Sequence, residues 1–139
     1  MTEVEAAVVT ALLAGNREEL GILRQQVRHA MVRSRTHTGI GFWTYFDVPP
    51  GAPRLTDSGR LRLSDVGAEI QDVEHGAGFV LWVERGEIDC LEGFTYAGDW
   101  PKEPKLIRCY YLRHASPGNP MLVETNERDI DDVFERKAG

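Results

Sequence analysis

Cysteine and lysine are scarce in this chain, no long apolar run occurs, and the usual catalytic signatures are missing. Only two cysteines, Cys90 and Cys109, occur in 139 residues. Neither belongs to a C-x-x-C pair, and no histidine stands at metal-ligand spacing from them, so neither a zinc site nor a redox dithiol is expected. His29, His37, His75 and His114 show no metal-like spacing among themselves. None of Ser34, Ser58, Ser64 and Ser116 sits in a G-x-S-x-G elbow. Gly76-Ala77-Gly78 precedes no helix pattern, so it is not read as a dinucleotide loop. No cofactor is implied. The acidic start Met1-Thr2-Glu3-Val4-Glu5 and the lack of a long apolar run argue against a signal peptide or membrane helix. A cytoplasmic protein with reduced thiols is the expectation.

What is present is ordinary for a globular chain. Hydrophobic residues make up 42% and charged residues 27%. The length predicts one domain over residues 1–139. The formal net charge is −6, and the 16 basic residues include only three lysines. An acidic balance argues against nucleic acid and anionic membranes, both of which attract basic surfaces. It leaves protein partners and small molecules open.

The N-terminal part reads as two helices. Thr2-Glu3-Val4-Glu5 fits a capping box, with Val4, Val8, Ala11 and Leu12 at helical spacing and Gly15 as the stop. Asn16-Arg17-Glu18-Glu19 reads as the next cap, before a stripe of Leu20, Leu23, Val27, Ala30 and Met31. Alternation then predicts a strand over 36–48. Pro49 to Pro53 and Asp57-Ser58-Gly59 are turn signals, and residues 60–73 alternate again. Residues 79–84 and 87–96 read as a hairpin, and 105–113 as a fifth strand. Asn126 is the expected cap of a short helix with Ile130, Val133 and Phe134. The fold class is therefore α+β: an N-terminal helical hairpin on an antiparallel meander of about five strands, then a short helix.

The hairpin is the most informative segment. With Arg85-Gly86 as its turn, regular alternation pairs Leu81 with Cys90 and Phe79 with Glu92. That register puts Glu92 on an apolar face with Phe79, Leu81, Val83, Ile88 and Phe94, and puts Val80, Trp82 and Leu91 on the other. Two apolar faces predict a central hairpin covered on both sides, one by the N-terminal helices and the other by the C-terminal helix, the long loops or a partner subunit in a homodimer. A carboxylate on an apolar face is an acid–base candidate, although a structural ion pair is the plainer reading.

His75, beside Gly76 and Gly78, is the second acid–base candidate; the glycines are read as serving the turn. Trp43, Tyr45 and Tyr96 are candidates for a ligand wall or protein-binding patch. Arg24 and Arg28, in a stretch 20–37 without acids, are anion-binding candidates, set against ordinary helix C-terminal charges. The segment from Glu124 to Glu135 has six acids and one arginine, a solvated face or one suited to a basic partner.

Residues 76–84 (GAGFVLWVE), Leu91 to Tyr96 (LEGFTY) and Trp100-Pro101 resemble a pattern found in small bacterial proteins with no established activity. The resemblance covers about residues 36–101 and implies no catalytic residue. The leading expectation is a non-enzymatic binding or interaction protein, one form being an acidic immunity-like protein that blocks a basic toxin. The alternative is a small-ligand-binding domain or small enzyme. It would have a pocket between helices and a curved sheet, as in folds resembling nuclear transport factor 2, with Glu92 and His75 as acid and base.

Overall fold

The computed structural model describes residues 1–57 and 59–135; Ser58 of the expected turn lies outside them. Within them the chain is α+β, with three helices and eight strands in one antiparallel sheet. Helix α1 spans Glu3–Leu12. Thr2 and Glu5 close its capping box reciprocally, as the sequence suggested. Helix α2 spans Glu18–His29, but its N-cap is Arg17, not Asn16, and no side chain caps it. It ends two residues before Met31, which is exposed and begins a strand instead of extending the helical stripe. The two helices are not clearly the expected hairpin: α1 lies against one set of strands and α2 against another.

Strand β1 (Met31–His37) turns through Gly39 into β2 (Gly41–Asp47), so the single strand expected over 36–48 is two. The next stretch also divides, into β3 (Leu61–Leu63) and β4 (Val66–Ile70). Then come β5 (Ala77–Glu84), β6 (Glu87–Thr95), β7 (Leu106–His114) and β8 (Leu122–Thr125). Short α3 (Ile130–Glu135) follows Asp129, whose carboxylate accepts from the Asp132 amide, the capping place expected for Asn126.

The sheet is not a meander. Its order is β1-β2-β6-β5-β4-β7-β8, with β3 also pairing with β5. The β5–β6 hairpin is therefore internal. One face carries Phe42, Phe46, Leu63, Val66, Ala68, Phe79, Leu81, Val83 and Leu91, all buried with Val8, Leu12, Leu20 and Leu23 of the helices. Burying such side chains stabilises by about 1.5–3 kcal/mol each relative to exposure.

Three buried polar groups tie segments together. Gln26 of α2 donates to the Pro53 and Gly86 carbonyls and accepts from the Ile88 amide, anchoring the helix to the hairpin turn. Asp65 is fully buried and takes two bonds from Arg128, which also donates to the Ala14 carbonyl. Glu5 is the third.

The hairpin register departs from regular alternation. Arg85 (φ 55°) and Gly86 (φ 80°) form the expected turn, and Val83 faces Ile88. Beyond them, however, Trp82 faces Cys90, Leu81 faces Leu91, Val80 faces Glu92 and Phe79 faces Gly93. Asp89 is the extra residue of a β-bulge. One added residue reverses the facing of everything beyond it. Leu91 therefore joins the core, while Glu92 and Phe94 move to the opposite face with Val80 and Trp82. The placement of Glu92 among core side chains does not hold.

Candidate functional site

Two regions collect polar and aromatic groups. The first is the sheet face away from the helices, here called the open face. From β2 it carries Trp43 and Tyr45, from β5 Val80 and Trp82, and from β6 Glu92 and Phe94; all are half-buried. Tyr96 follows, with 55% of its surface exposed. Gly67 and Gly78 face each other across β4 and β5, and rings fill the space that their missing side chains leave. Tyr110 covers Gly67; Phe94 and Tyr96, packed edge to face at 5.6 Å, cover Gly78.

Arginines cap three rings of this face. Arg60 lies 4.2 Å from the Trp82 ring centroid, Arg108 4.9 Å from Tyr110, and Arg33 5.5 Å from Tyr45. These arginines are also ion-paired: Arg60 with Glu84, Arg108 with Glu69 and Glu124, and Arg33 with Asp47. Glu92 differs. It stands opposite Trp43 on β2 and accepts a 3.4 Å hydrogen bond from Trp82 Nε1. Neither it nor Asp89 has an ion-pair partner among the described residues. The Cys90 thiol reports their charge. Burial, then the nearby Asp89, Glu92 and Glu84 carboxylates, push its pKa up to about 12. That thiol is inert as a nucleophile.

The second region is a cleft of about 450 Å³ on the helix side, at one end of the sheet. The start of α1 forms one wall, with Thr2, Val4 and Glu5. Arg35 and His37 enter from β1, and Gly41 and Phe42 from β2. The loop after β6 supplies Trp100, Pro101, Lys102 and Pro104. This loop is fixed by the Trp100 amide, which donates to the Gly39 carbonyl at 2.8 Å. The Trp100 ring meets Phe42 edge to face at 5.1 Å and Phe79 at 6.2 Å.

Glu5 organises the cleft. It is 2% exposed and accepts from Arg35 Nε and Nη2, the Thr44 hydroxyl and the Thr2 amide. Burial alone would raise its pKa. The bonds from Arg35, Thr44 and Thr2 outweigh that and lower it to about 2. Glu5 is thus a fixed anion, and it holds the Arg35 guanidinium at the cleft. Lys102 is exposed and without an ion-pair partner among the described residues.

The sequence candidates fall in different places. Glu92, Trp43, Tyr45 and Tyr96 share the open face. His75 is 66% exposed on its side chain, adopts φ 66° in the turn before β5, and lies 3.6 Å from Glu74. It shares no hydrogen bond or ion pair with Glu92. Arg24 donates to the Leu13 and Gly15 carbonyls and so closes the end of α1. Arg28 is exposed beside it in a shallow hollow between the two helices. The cleft residues Glu5, Arg35, Trp100 and Lys102 escaped the sequence reading as a set. Glu5 was legible only as a cap, and no local pattern relates it to Arg35. Among the described residues no group of three or more His, Cys, Asp or Glu side chains could hold a metal, and no helix is long and apolar enough to cross a membrane. No family model, curated protein or solved structure matches this chain.

Proposed function

We propose that the protein is a non-enzymatic binding protein that docks a basic segment of a partner protein on the open face of its sheet. The observation that carries this reading is Glu92, a carboxylate with no cationic partner among the described residues, placed between Trp43 and Trp82. A carboxylate beside indole rings suits an incoming arginine or lysine, which gains a charge partner in Glu92 and aromatic surface at Trp43. Trp, Tyr and Arg are also the residues that dominate protein interfaces energetically. The chain's net charge of −6 would steer a basic partner toward it. An immunity-like protein that neutralises a basic toxin is one form of this reading.

The test is an NMR titration of the protein with capped tri-arginine and tri-glutamate peptides, reading the indole N–H signals. Tri-arginine should shift Trp43 and Trp82, and tri-glutamate should not. Glu92→Gln with Asp89→Asn should weaken the tri-arginine response by roughly five- to tenfold. No shift, or an unchanged shift in the double variant, would overturn the proposal. So would a stable dimer dispersed by Trp82→Glu, which would assign the face to a second copy of the chain.

A further inference from the structure

We infer that the cleft between the start of α1 and the Trp100 loop is a binding site for a small organic anion with a flat apolar body, separate from the open face. Its volume of about 450 Å³ lies in the range of ligand sites, about 300–1,000 Å³. Its apolar walls, Val4, Phe42, Trp100, Pro101 and Pro104, suit a planar ring system. Those walls are already in place: Trp100 is held by its backbone bond to Gly39 and by Phe42, and the prolines restrict the loop. A preformed wall loses little entropy when a ligand enters.

The charge pattern selects an anion. Arg35 and Lys102 line the cleft, with His37 beside them, against the single carboxylate of Glu5. Glu5 is occupied by four hydrogen bonds, two of them from Arg35, so it offers an incoming cation little. Lys102 and His37 have no ion-pair partner among the described residues. A carboxylate on the ligand would meet Lys102 at the mouth, with Arg35 and His37 alongside, while its ring lies against Trp100 and Phe42. The inference is of binding and not of turnover.

Indole-3-acetate is a suitable probe, with indole-3-acetamide as its uncharged counterpart. In a titration of the full chain followed by NMR, indole-3-acetate should shift the Trp100 indole N–H and the Gly39 and Gly41 amides saturably. The Trp43 and Trp82 indoles should stay still. Lys102→Glu, a change at an exposed position, should weaken binding by roughly three- to tenfold, and the acetamide should bind more weakly by a similar factor. Arg113→Ala, an exposed change on β7 away from both sites, should leave binding unchanged. Absence of a saturable shift at Trp100 at millimolar ligand would overturn the inference. Equal binding of the acid and the amide would also overturn it, by removing the anion preference, as would shifts confined to Trp43 and Trp82. The Trp100 readout is independent of the tri-arginine response, so either proposal can fail alone.

Discussion

Replacing Glu5 by glutamine tests the ion pair that organises the cleft. In the folded protein the Glu5 carboxyl titrates near 2, against an ordinary value of 4.5. Burial opposes this lowering; the donors on Arg35, Thr44 and Thr2 more than offset it. At about 1.4 kcal/mol per pH unit, the gap corresponds to about 3 kcal/mol of stability. The Arg35 side chain is 35% exposed, so water screens part of the attraction and about 2 kcal/mol is the better figure. The sign follows from the direction of the shift. A carboxyl whose pKa is depressed by folding stabilises the native state above its unfolded pKa, and that contribution disappears as pH falls from about 4.5 toward about 2.

The assay is urea unfolding of wild type and Glu5→Gln at several pH values. Subtracting one curve from the other cancels the titration of every other carboxylate. Wild type should be more stable by about 2 kcal/mol at neutral pH, and this advantage should fall to under half by about pH 3. A difference that stays flat between those pH values would mean that Glu5 matters for its shape and not its charge, and the ion pair would not be what stabilises the fold there.

Other consequences follow from buried groups. Arg128→Met should cost about 3–5 kcal/mol in urea unfolding, because it strands the fully buried Asp65 carboxylate without its two donors; a loss under about 1 kcal/mol would show that water reaches Asp65. A thiol reagent at pH 8 should leave Cys90 unlabelled in native protein and label it on unfolding, since burial and the surrounding carboxylates push its pKa up to about 12. Rapid native labelling assigned to Cys90 by mass spectrometry would contradict that environment.

Local signals were legible where one neighbourhood decides the structure. Thr2 and Glu5 close their capping box within one turn, Arg85-Gly86 turns where expected, and Leu61, Leu63, Val66, Ala68 and Ile70 are all buried. The strand count failed where pairing is decided by distant segments. Ser34, Arg35 and Thr36 carry no strand-like apolar alternation, yet they pair with Tyr45, Thr44 and Trp43 along an edge of the sheet, where little burial is needed. The candidate sites follow the same division. The cleft depends on Glu5 and Arg35, thirty residues apart, and on Trp100 far beyond both. The facing of Glu92 depends on one unpaired residue, Asp89, and alternation has no means of signalling it.

That dependence can be tested by deletion. If Asp89 is the inserted residue, removing it leaves the two flanking pairs as they are, Val83 with Ile88 and Trp82 with Cys90, and the hairpin becomes regular. Glu92 keeps its place on the open face, opposite Val80 and beside Trp82. Removing Leu91 instead draws Glu92 into the position opposite Leu81 and Thr44, both fully buried, where a second carboxylate is costly. That deletion also loses a core leucine, worth about 2–5 kcal/mol in its own right. The Asp89 deletion should therefore fold with a loss under about 1 kcal/mol and an unchanged Trp82 indole N–H signal. The Leu91 deletion should lose at least about 4 kcal/mol or fail to fold. Equal damage from the two deletions would mean that the bulge is required by the sheet and is not a surplus residue, and the account of how Glu92 reaches the open face would fall with it. A stable Asp89 deletion that keeps the Trp82 signal but answers tri-arginine more weakly would separate the two roles of that residue, setting the register aside and leaving its charge.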